Sequence, residues 1–429
     1  MPRKAGFSER ERKIRKKALE KRGALSLEDQ PMEEYEEEES LPKIRIPKPV
    51  LRVLLILLAC GLAVFLWVNR ANLAPDRVGD WIQESMLGMG VGPGFPTPMV
   101  GSSISKDNFQ RMDQDVVMVS DTSFVMLNKT AKELVNRQHS FSTPVLKIGG
   151  SRALIYNLGG NSFQIESRSK TILKKDGLSH NILAGDISQS GEFAIVTESE
   201  GYFSELTVYD KNTQAVDSED YRYRYYFSDY YITNVALNKE GTSVAAVGVT
   251  ANEGALRSAL YVFDDFESSQ AKENPDYIFE DNLILAVRYL DNGNIAVVGD
   301  RETYIVTPST GEQITYSYQQ RSLANFDLSG NHVLLALSAS NDGRSCDIVL
   351  LDESGQISTE FSTSHKVISA SCYEDRIALL DSGTIYGYSQ TGKETGSWDA
   401  GGDAQKIVLY SRDSAYVLGI SQIRQVSLS

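Results

Sequence analysis

A repeated pair of apolar strands dominates the sequence from about residue 100 onward. Five copies show it most clearly. Their first strands are FAIVT (193–197), VAAVGV (244–249), IAVVGD (295–300), HVLLALS (332–338) and RIALLD (376–381). A second apolar strand, a polar turn and a polar strand follow each of these runs, and three weaker copies begin near residues 116, 152 and 414. Because the central runs are apolar on both faces, each sheet needs another sheet on either side of it.

Eight such units fill the span from about residue 95 to residue 429. The spacing is about 42 residues per unit, which is the length of a four-stranded propeller blade. A closed ring covers both faces of every sheet. The sequence therefore predicts an all-β fold, an eight-bladed β-propeller over residues 99–429, in which Met99–Ser105 supplies the fourth strand of the last blade. A seven-bladed ring with one irregular unit is the alternative, and an open two-sheet sandwich fits the regular spacing less well.

An apolar block at residues 50–68 precedes this repeat and is interrupted only by Arg52. Nineteen residues of helix rise about 28 Å, which is enough to cross the hydrocarbon core of a bilayer. The flank before the block holds Lys43, Arg45 and Lys48, and the flank after it holds only Arg70 and Arg77. By the positive-inside rule, the N-terminus is cytoplasmic and the repeat region is extracellular. A cleaved signal peptide is the alternative, but about 50 residues precede the block, which is long for a signal sequence.

These features predict a single-pass protein of the cell membrane with four parts. Residues 1–49 form a charged cytoplasmic tail whose acidic run, residues 33–39, cannot bury apolar surface and is predicted to be disordered. Residues 50–68 are the transmembrane helix. Residues 69–98 are a connector with a short amphipathic helix, and the propeller follows.

The charge of the chain limits its partners. The formal net charge is −14, and residues 1–52 contribute +3, so the remainder carries −17. Nucleic-acid binding depends on Lys and Arg contacts to phosphates. We therefore expect the membrane and a protein or polymer of the cell envelope as partners, and no nucleic acid.

No residue set in the sequence specifies a reaction. The four histidines are His139, His180, His332 and His365, and none has a second His, a Cys or a Glu at metal-ligand spacing. No nucleophile elbow, phosphate loop or dinucleotide fingerprint is present. We expect no enzymatic activity and no cofactor. Cys346 and Cys372 are expected to be buried free thiols, and a disulfide between neighbouring blades is the alternative.

The segment YRYRYYFSDYY (221–231) is the first candidate site. Strand alternation places Tyr221, Tyr223 and Tyr225 on one face, with Arg222, Arg224 and Tyr226 on the other. Tyr and Arg are enriched at the centres of binding surfaces. The alternative is an outer blade strand whose aromatic face packs on the next blade.

A second candidate is an anion site formed by basic residues in two nearby segments. Its members are Arg137, His139, Arg168 and Lys170. In the structural alternative, these side chains bond to neighbouring carbonyls at the corners of blades.

Four segments also resemble a known family. They are WIQESMLGMGVGPGFP (81–96), RQHSF (137–141), PVLKIGGSRALIYNLGG (144–160) and FQIESRSKTI (163–172). They resemble membrane-anchored proteins of Gram-positive bacteria that are known only as a domain of unknown function. The resemblance covers most of the chain. It implies an N-terminal anchor and a propeller-like ectodomain, and it implies no activity. The pattern LTVYDKNTQAV (206–216) is also similar to quinoprotein-like and YVTN-type propellers.

The expected function is a non-enzymatic binding or scaffold module for an envelope protein or wall polymer. One alternative is a quinoprotein-like extracellular enzyme that uses the central channel of the ring. The other is a transmembrane sensor that relays a signal through a cytoplasmic partner.

Overall fold

The computed structural model describes residues 57, 58, 60, 90–214, 216, 220–252, 254–266, 272–328, 330–339 and 344–429. The chain divides into two compact units, Met1–Ala71 and Asn72–Ser429. In the first unit, Leu57, Leu58 and Cys60 are helical and exposed. Within the part of the chain that the structure describes, no helix has the length and apolar character needed to cross a membrane. The predicted tail, nearly all of segment 50–68, and the connector up to residue 89 lie outside the described residues.

The second unit contains eight antiparallel sheets of four strands each. The first strands of the sheets, called A strands, are β2 (Ile104–Met112), β6 (Pro144–Gly149), β10 (Ile182–Ile187), β14 (Tyr231–Leu237), β18 (Ile284–Tyr289), β22 (Ser322–Asp327), β26 (Ser369–Tyr373) and β30 (Lys406–Ser411). The B strands are β3 (Asp115–Ser120), β7 (Arg152–Asn157), β11 (Phe193–Ser199), β15 (Val244–Asn252), β19 (Ile295–Gly299), β23 (Val333–Ser338), β27 (Arg376–Asp381) and β31 (Ser414–Leu418). The C strands are β4 (Ser123–Leu127), β8 (Phe163–Ser167), β12 (Tyr202–Tyr209), β16 (Ala255–Phe263), β20 (Glu302–Thr307), β24 (Cys346–Leu351), β28 (Thr384–Tyr388) and β32 (Gln422–Ser427). The D strands are β5 (Glu133–Gln138), β9 (Thr171–Lys175), β13 (Tyr223–Phe227), β17 (Tyr277–Glu280), β21 (Glu312–Ser317), β25 (Ile357–Thr363), β29 (Glu394–Asp399) and β1 (Thr97–Pro98).

The sheets form a closed ring. Neighbouring sheets contact each other mainly through their A strands, and β30 of the last sheet contacts β2 of the first. The A strands therefore surround the central axis, and the D strands lie at the rim. This architecture is an all-β, eight-bladed propeller, as predicted, and the seven-bladed alternative is wrong. Blades 1 to 7 begin at β2, β6, β10, β14, β18, β22 and β26, and blade 8 combines β30–β32 with β1.

The closing strand differs from the prediction that Met99–Ser105 would supply it. The outer strand of blade 8 is β1, where Thr97 pairs with Ile423 and Pro98 with Gln422. Residues 99–103 instead cross to the inner strand of blade 1, which already begins at Ile104. The crossing is favoured by Gly101, whose φ is 91°, in a conformation that glycine adopts most readily.

The apolar core lies between the blades. Each of eight buried clusters fills one interface between neighbouring sheets, and the B and C strands supply most of the side chains. All six residues of β23 are buried, for example. Burying one Leu, Ile or Val contributes about 1.5–3 kcal/mol. Neighbouring blades thus cover both faces of the central apolar strands, as the sequence predicted.

Polar side chains of the A strands bond from one blade to the next. Such a strand is an edge strand, and its outward backbone N–H groups would otherwise lack partners. Asn108 Oδ1 accepts from Leu146 N at 2.9 Å, and Asp186 Oδ2 accepts from Leu237 N at 2.8 Å. The same contact recurs at Asn325, Asp327, Ser369 and Ser371. These bonds couple the blades around the channel.

The ring has two faces with different connections. A–B and C–D turns form one face, and B–C turns and D–A connections form the other. Residues 90–94 lie against the C–D turn of blade 1, where Gly92 N donates to Thr130 Oγ1 at 2.8 Å and Gly94 N donates to Thr130 O at 3.0 Å. We call the face of A–B and C–D turns the tether face and the opposite face the distal face.

Candidate binding surface

The predicted Tyr-rich segment forms β13, the rim strand of blade 3. Tyr223 and Tyr225 face blade 4, with ring centroids 5.4 and 4.8 Å from that of Phe263. Tyr225 Oη also donates to the carbonyl of Lys272. Burial raises the pKa of Tyr223 to about 12. These two tyrosines hold neighbouring blades together, which is the structural alternative stated for the segment.

The two arginines of this segment are used within the fold. Arg224 Nε lies 3.0 Å from Glu205 Oε1, and its guanidinium lies 4.1 Å over the ring of Tyr221. Arg222 donates to the carbonyl of Gly241 at 3.2 Å. The charge of Arg224 is therefore paired within the fold, whereas the exposed Arg222 bonds to a neutral carbonyl.

Tyr226 points away from blade 4 and joins an exposed aromatic group. Its ring centroid is 5.0 Å from that of Tyr202, the first residue of β12. The group, which we call the aromatic patch, comprises Tyr202 (49% exposed), Phe203 (52%), Tyr226 (40%) and Tyr231 (40%).

Local structure explains why the patch lies on the distal face. Gly201, with φ of 85°, reverses the chain in the B–C turn of blade 3 and places Tyr202 and Phe203 directly after the turn. Tyr231 begins β14 after the D–A connection. A B–C turn and a D–A connection meet at the same end of a blade, so residues distant in sequence come together.

A cleft of about 480 Å³ lies beside the patch. Its lining consists of His180, Glu198, Ser199, Glu200, Tyr202, Phe203 and Tyr231. Asn181 Nδ2 donates to Glu198 Oε2 at 2.9 Å. Burial and the negative charge of Glu198 raise the pKa of Tyr231, so its phenol is uncharged at neutral pH. We call this the aromatic–acidic cleft.

A second cleft, of about 750 Å³, opens on the distal face at blades 4 to 6. Its charged lining residues are Glu280, Asp281, Asp300, Arg301, Glu302 and Arg321. Three lining residues other than glycine have left-handed backbones: Asp281 (φ 53°), Gln319 (53°) and Gln320 (71°). Such conformations cost energy and persist where the surrounding structure fixes them. Tyr318, which directly precedes Gln319 and Gln320, provides such support for these two residues, because its buried hydroxyl donates to Gly299 O at 2.9 Å.

Other exposed apolar side chains extend the distal face. They are Leu158, Leu256, Leu283, Leu285 and Ile420, all in or beside B–C turns and D–A connections. These five side chains are spread over several blades, and single exposed apolar side chains are common on protein surfaces, so the aromatic patch is the feature that indicates an interaction site.

The predicted anion-site residues are engaged in separate contacts. Arg137 Nη1 lies 2.5 Å from Glu166 Oε2, and Arg168 Nη2 lies 2.7 Å from Asp115 Oδ2. His139 Nε2 lies 3.1 Å from Ser120 O, and burial lowers the pKa of His139. The backbone N–H of Lys170 donates to Ser167 Oγ. The side-chain contacts of Arg137, His139 and Arg168 favour the structural alternative, and we propose no anion site here.

Cys346 and Cys372 are buried free thiols in the core between blades 6 and 7. Burial raises the pKa of both thiols, to about 12 for Cys372. They are therefore poor nucleophiles.

A family profile described as a family of unknown function (DUF5711) matches residues 99–428. The chain belongs to this family. The DUF5711 match covers the propeller except for its closing strand β1 and confirms the family level of the resemblance seen in the sequence, while the membrane anchor and Gram-positive origin stay predictions. No curated protein matches the chain.

Two solved structures similar to this DUF5711 chain are distant in sequence. A crystal structure described as the eukaryotic initiation factor has a TM-score of 0.48 and 9% identity, over 79% of this chain and 90% of that one. Hsv2 of Kluyvelomyces marxianus has a TM-score of 0.41 and 12% identity, over 63% of this chain and 86% of that one.

Proposed function

We propose that this protein is a binding or scaffold module of the cell envelope. In this proposal, residues 50–68 anchor the chain in the cell membrane, the N-terminus is cytoplasmic, and the extracellular propeller binds an envelope protein through its distal face. The chain has no enzymatic role in this proposal.

One observation carries the proposal: exposed aromatic and apolar side chains gather on the face opposite the one that residues 90–94 contact. Tyrosine contributes large rigid contact area at low entropic cost, which is why it dominates many binding hot spots. Two residues of the segment predicted from sequence, Tyr226 and Tyr231, belong to this surface.

Crosslinking in cells tests the binding role. The tagged full-length chain would be crosslinked in its own organism and compared with the triple variant Tyr202→Ala/Phe203→Ala/Tyr231→Ala. We expect the triple variant to recover the partner at least about tenfold less, since hot-spot residues each contribute about 2 kcal/mol or more. The matched control is Ile357→Ala, which removes a side chain of equal exposure (50%) at the start of a D strand. Equal recovery by the wild type and the triple variant would contradict the proposal.

Protease protection tests the topology. Tags would be placed at each terminus of the full chain, and protease would be added to intact cells stripped of wall. We expect loss of the C-terminal tag and survival of the N-terminal tag. The reverse pattern, or protection of both tags, would reject the extracellular placement.

A further inference from the structure

We infer that the aromatic–acidic cleft binds cationic side chains, so that the partner presents a Lys- or Arg-rich segment. This inference rests on the proposed binding role of the distal face and adds the chemistry of the partner.

The cleft combines the two groups that favour an organic cation. Tyr202, Phe203 and Tyr231 supply exposed aromatic rings at its wall. A Lys ammonium or an Arg guanidinium near the face of such rings gains about 0.5–2 kcal/mol. Glu198 and Glu200 supply carboxylates in the same cleft, and these form strong charge-assisted hydrogen bonds with the same cations.

The two carboxylates are available to a partner. Two other glutamates of blades 3 and 4 are paired with arginines, Glu205 with Arg224 and Glu280 with Arg257. Glu198 bonds only to the neutral amide of Asn181 and faces Tyr231, and across the described residues no Lys or Arg pairs with Glu198 or Glu200. The cleft is therefore a place where negative charge is left for another molecule.

The second distal cleft and the propeller as a whole are also negatively charged. The second distal cleft has four carboxylates in its lining, Glu280, Asp281, Asp300 and Glu302, against two arginines, and of these four Glu280 is paired with Arg257. The chain after residue 52 carries a net charge of −17. A phosphate-rich wall polymer would be repelled by this face, whereas a basic protein segment would be attracted to it.

Direct binding of defined probes tests the inference. The full chain in nanodiscs of neutral lipid would be titrated with a fluorescein-labelled (Lys-Gly)₄ peptide, and with (Glu-Gly)₄ and the neutral sugar chitotetraose as comparison probes. We expect the Lys peptide to bind, the Glu peptide to fail, and binding of the Lys peptide to weaken with salt.

Matched variants separate the contributions of the carboxylates and of the aromatic rings to the affinity for the Lys peptide. Glu198→Gln/Glu200→Gln and Tyr202→Leu/Tyr231→Leu should each weaken the Lys peptide about tenfold or more. Glu240→Gln/Glu394→Gln makes the same charge change at exposed positions next to tether-face turns and should change affinity less than about twofold. Melting temperatures would establish that all variants are folded.

The outcomes are distinct from those of the cellular crosslinking. If partner recovery depends on the aromatic patch but the Lys peptide does not bind, or binds equally to the Glu198→Gln/Glu200→Gln variant, the cationic inference is overturned and the binding role stands. Preferential binding of chitotetraose would likewise overturn it. If the aromatic substitutions also leave partner recovery unchanged, both proposals fall.

Discussion

Replacing Arg137 by leucine should leave a buried carboxylate without its counter-charge. Arg137 Nη1 is 2.5 Å from Glu166 Oε2 and 2.9 Å from Ser167 O, and the side chain of Glu166 is 1% exposed. In Arg137→Leu, only the Thr171 hydroxyl would still bond to Glu166, at 2.9 Å. Breaking a buried ion pair from one side costs about 3–5 kcal/mol.

The side chain of Arg137 is 25% exposed, so water partly replaces it, and we expect a loss of about 2–3 kcal/mol at pH 7.5. Unfolding entropy of about 2.1 cal/mol/K per residue gives about 0.7 kcal/mol/K for a domain of this size. The expected fall in Tm is therefore about 3–4 °C, measurable by differential scanning fluorimetry.

The dependence on pH identifies the cause. Burial raises the pKa of Glu166, and loss of Arg137 raises it further because the Arg137 charge lowers it in the wild type. The ionised carboxylate is the costly form, so the deficit of the variant is complete above the raised pKa of Glu166 and shrinks as the pH falls through it. The control, Arg137→Leu/Glu166→Gln, removes the charge and should recover most of the loss.

Two results would refute this reasoning. One is an unchanged Tm, and the other is a loss of the same size at pH 5 and pH 7.5 that the double variant does not recover. An anion site at Arg137 predicts something different: phosphate would raise the Tm of the wild type and not that of Arg137→Leu.

Three further predictions concern the channel, the thiols and the ring closure. Burial raises the pKa of Asp186, so Asp186→Asn, which keeps an acceptor for Leu237 N, should raise the Tm at pH 7. This gain should vanish below about pH 4, where the wild-type carboxyl is protonated in both the folded and the unfolded state. A gain in Tm that does not depend on pH would contradict this prediction. In a Cys60→Ser protein, Cys346 and Cys372 should resist a thiol reagent at pH 8 and react fully in denaturant; rapid labelling of the native protein would disprove their burial. A chain lacking residues 1–98 should melt several degrees below one lacking residues 1–96, because only the former loses β1. Equal melting would show that β1 does not close the ring.

The centre of each blade could be predicted from sequence because it follows one strong rule. A run such as VLLALS at 333–338 is apolar on both faces, and only a sheet covered on both sides satisfies it. The closing strand could not be predicted in the same way. Thr97–Pro98 has two residues, too few to show any periodicity, and its partner is at the other end of the chain.

The candidate site was predicted less completely than the blades, because sequence spacing does not show which neighbours a strand face meets. Alternation correctly separated Tyr223 and Tyr225 from Tyr226, but a period of two does not tell whether an aromatic face meets solvent or the next blade. The patch residues Tyr202 and Phe203 carried no clear signal, because adjacent side chains of a blade strand point to opposite faces and both faces can be buried, as in β23. Their meeting with Tyr231 depends on how blades 3 and 4 join, which sequence spacing does not specify.

The composition of blade 8 has a consequence for how the protein matures. Thr97 pairs with Ile423, so the first strand of the domain acquires its partner only after β32, the last strand of the domain, has been synthesised. Seven blades are built from continuous stretches and can assemble in order as they emerge, but the eighth must wait for both ends of the domain. Until then β30–β32 lack their rim strand and blade 1 lacks its neighbour, and the apolar surface between them is open to solvent. Loss of the last few residues should therefore harm maturation far more than their small number suggests, and the interval before closure is when the nascent chain is most prone to aggregate.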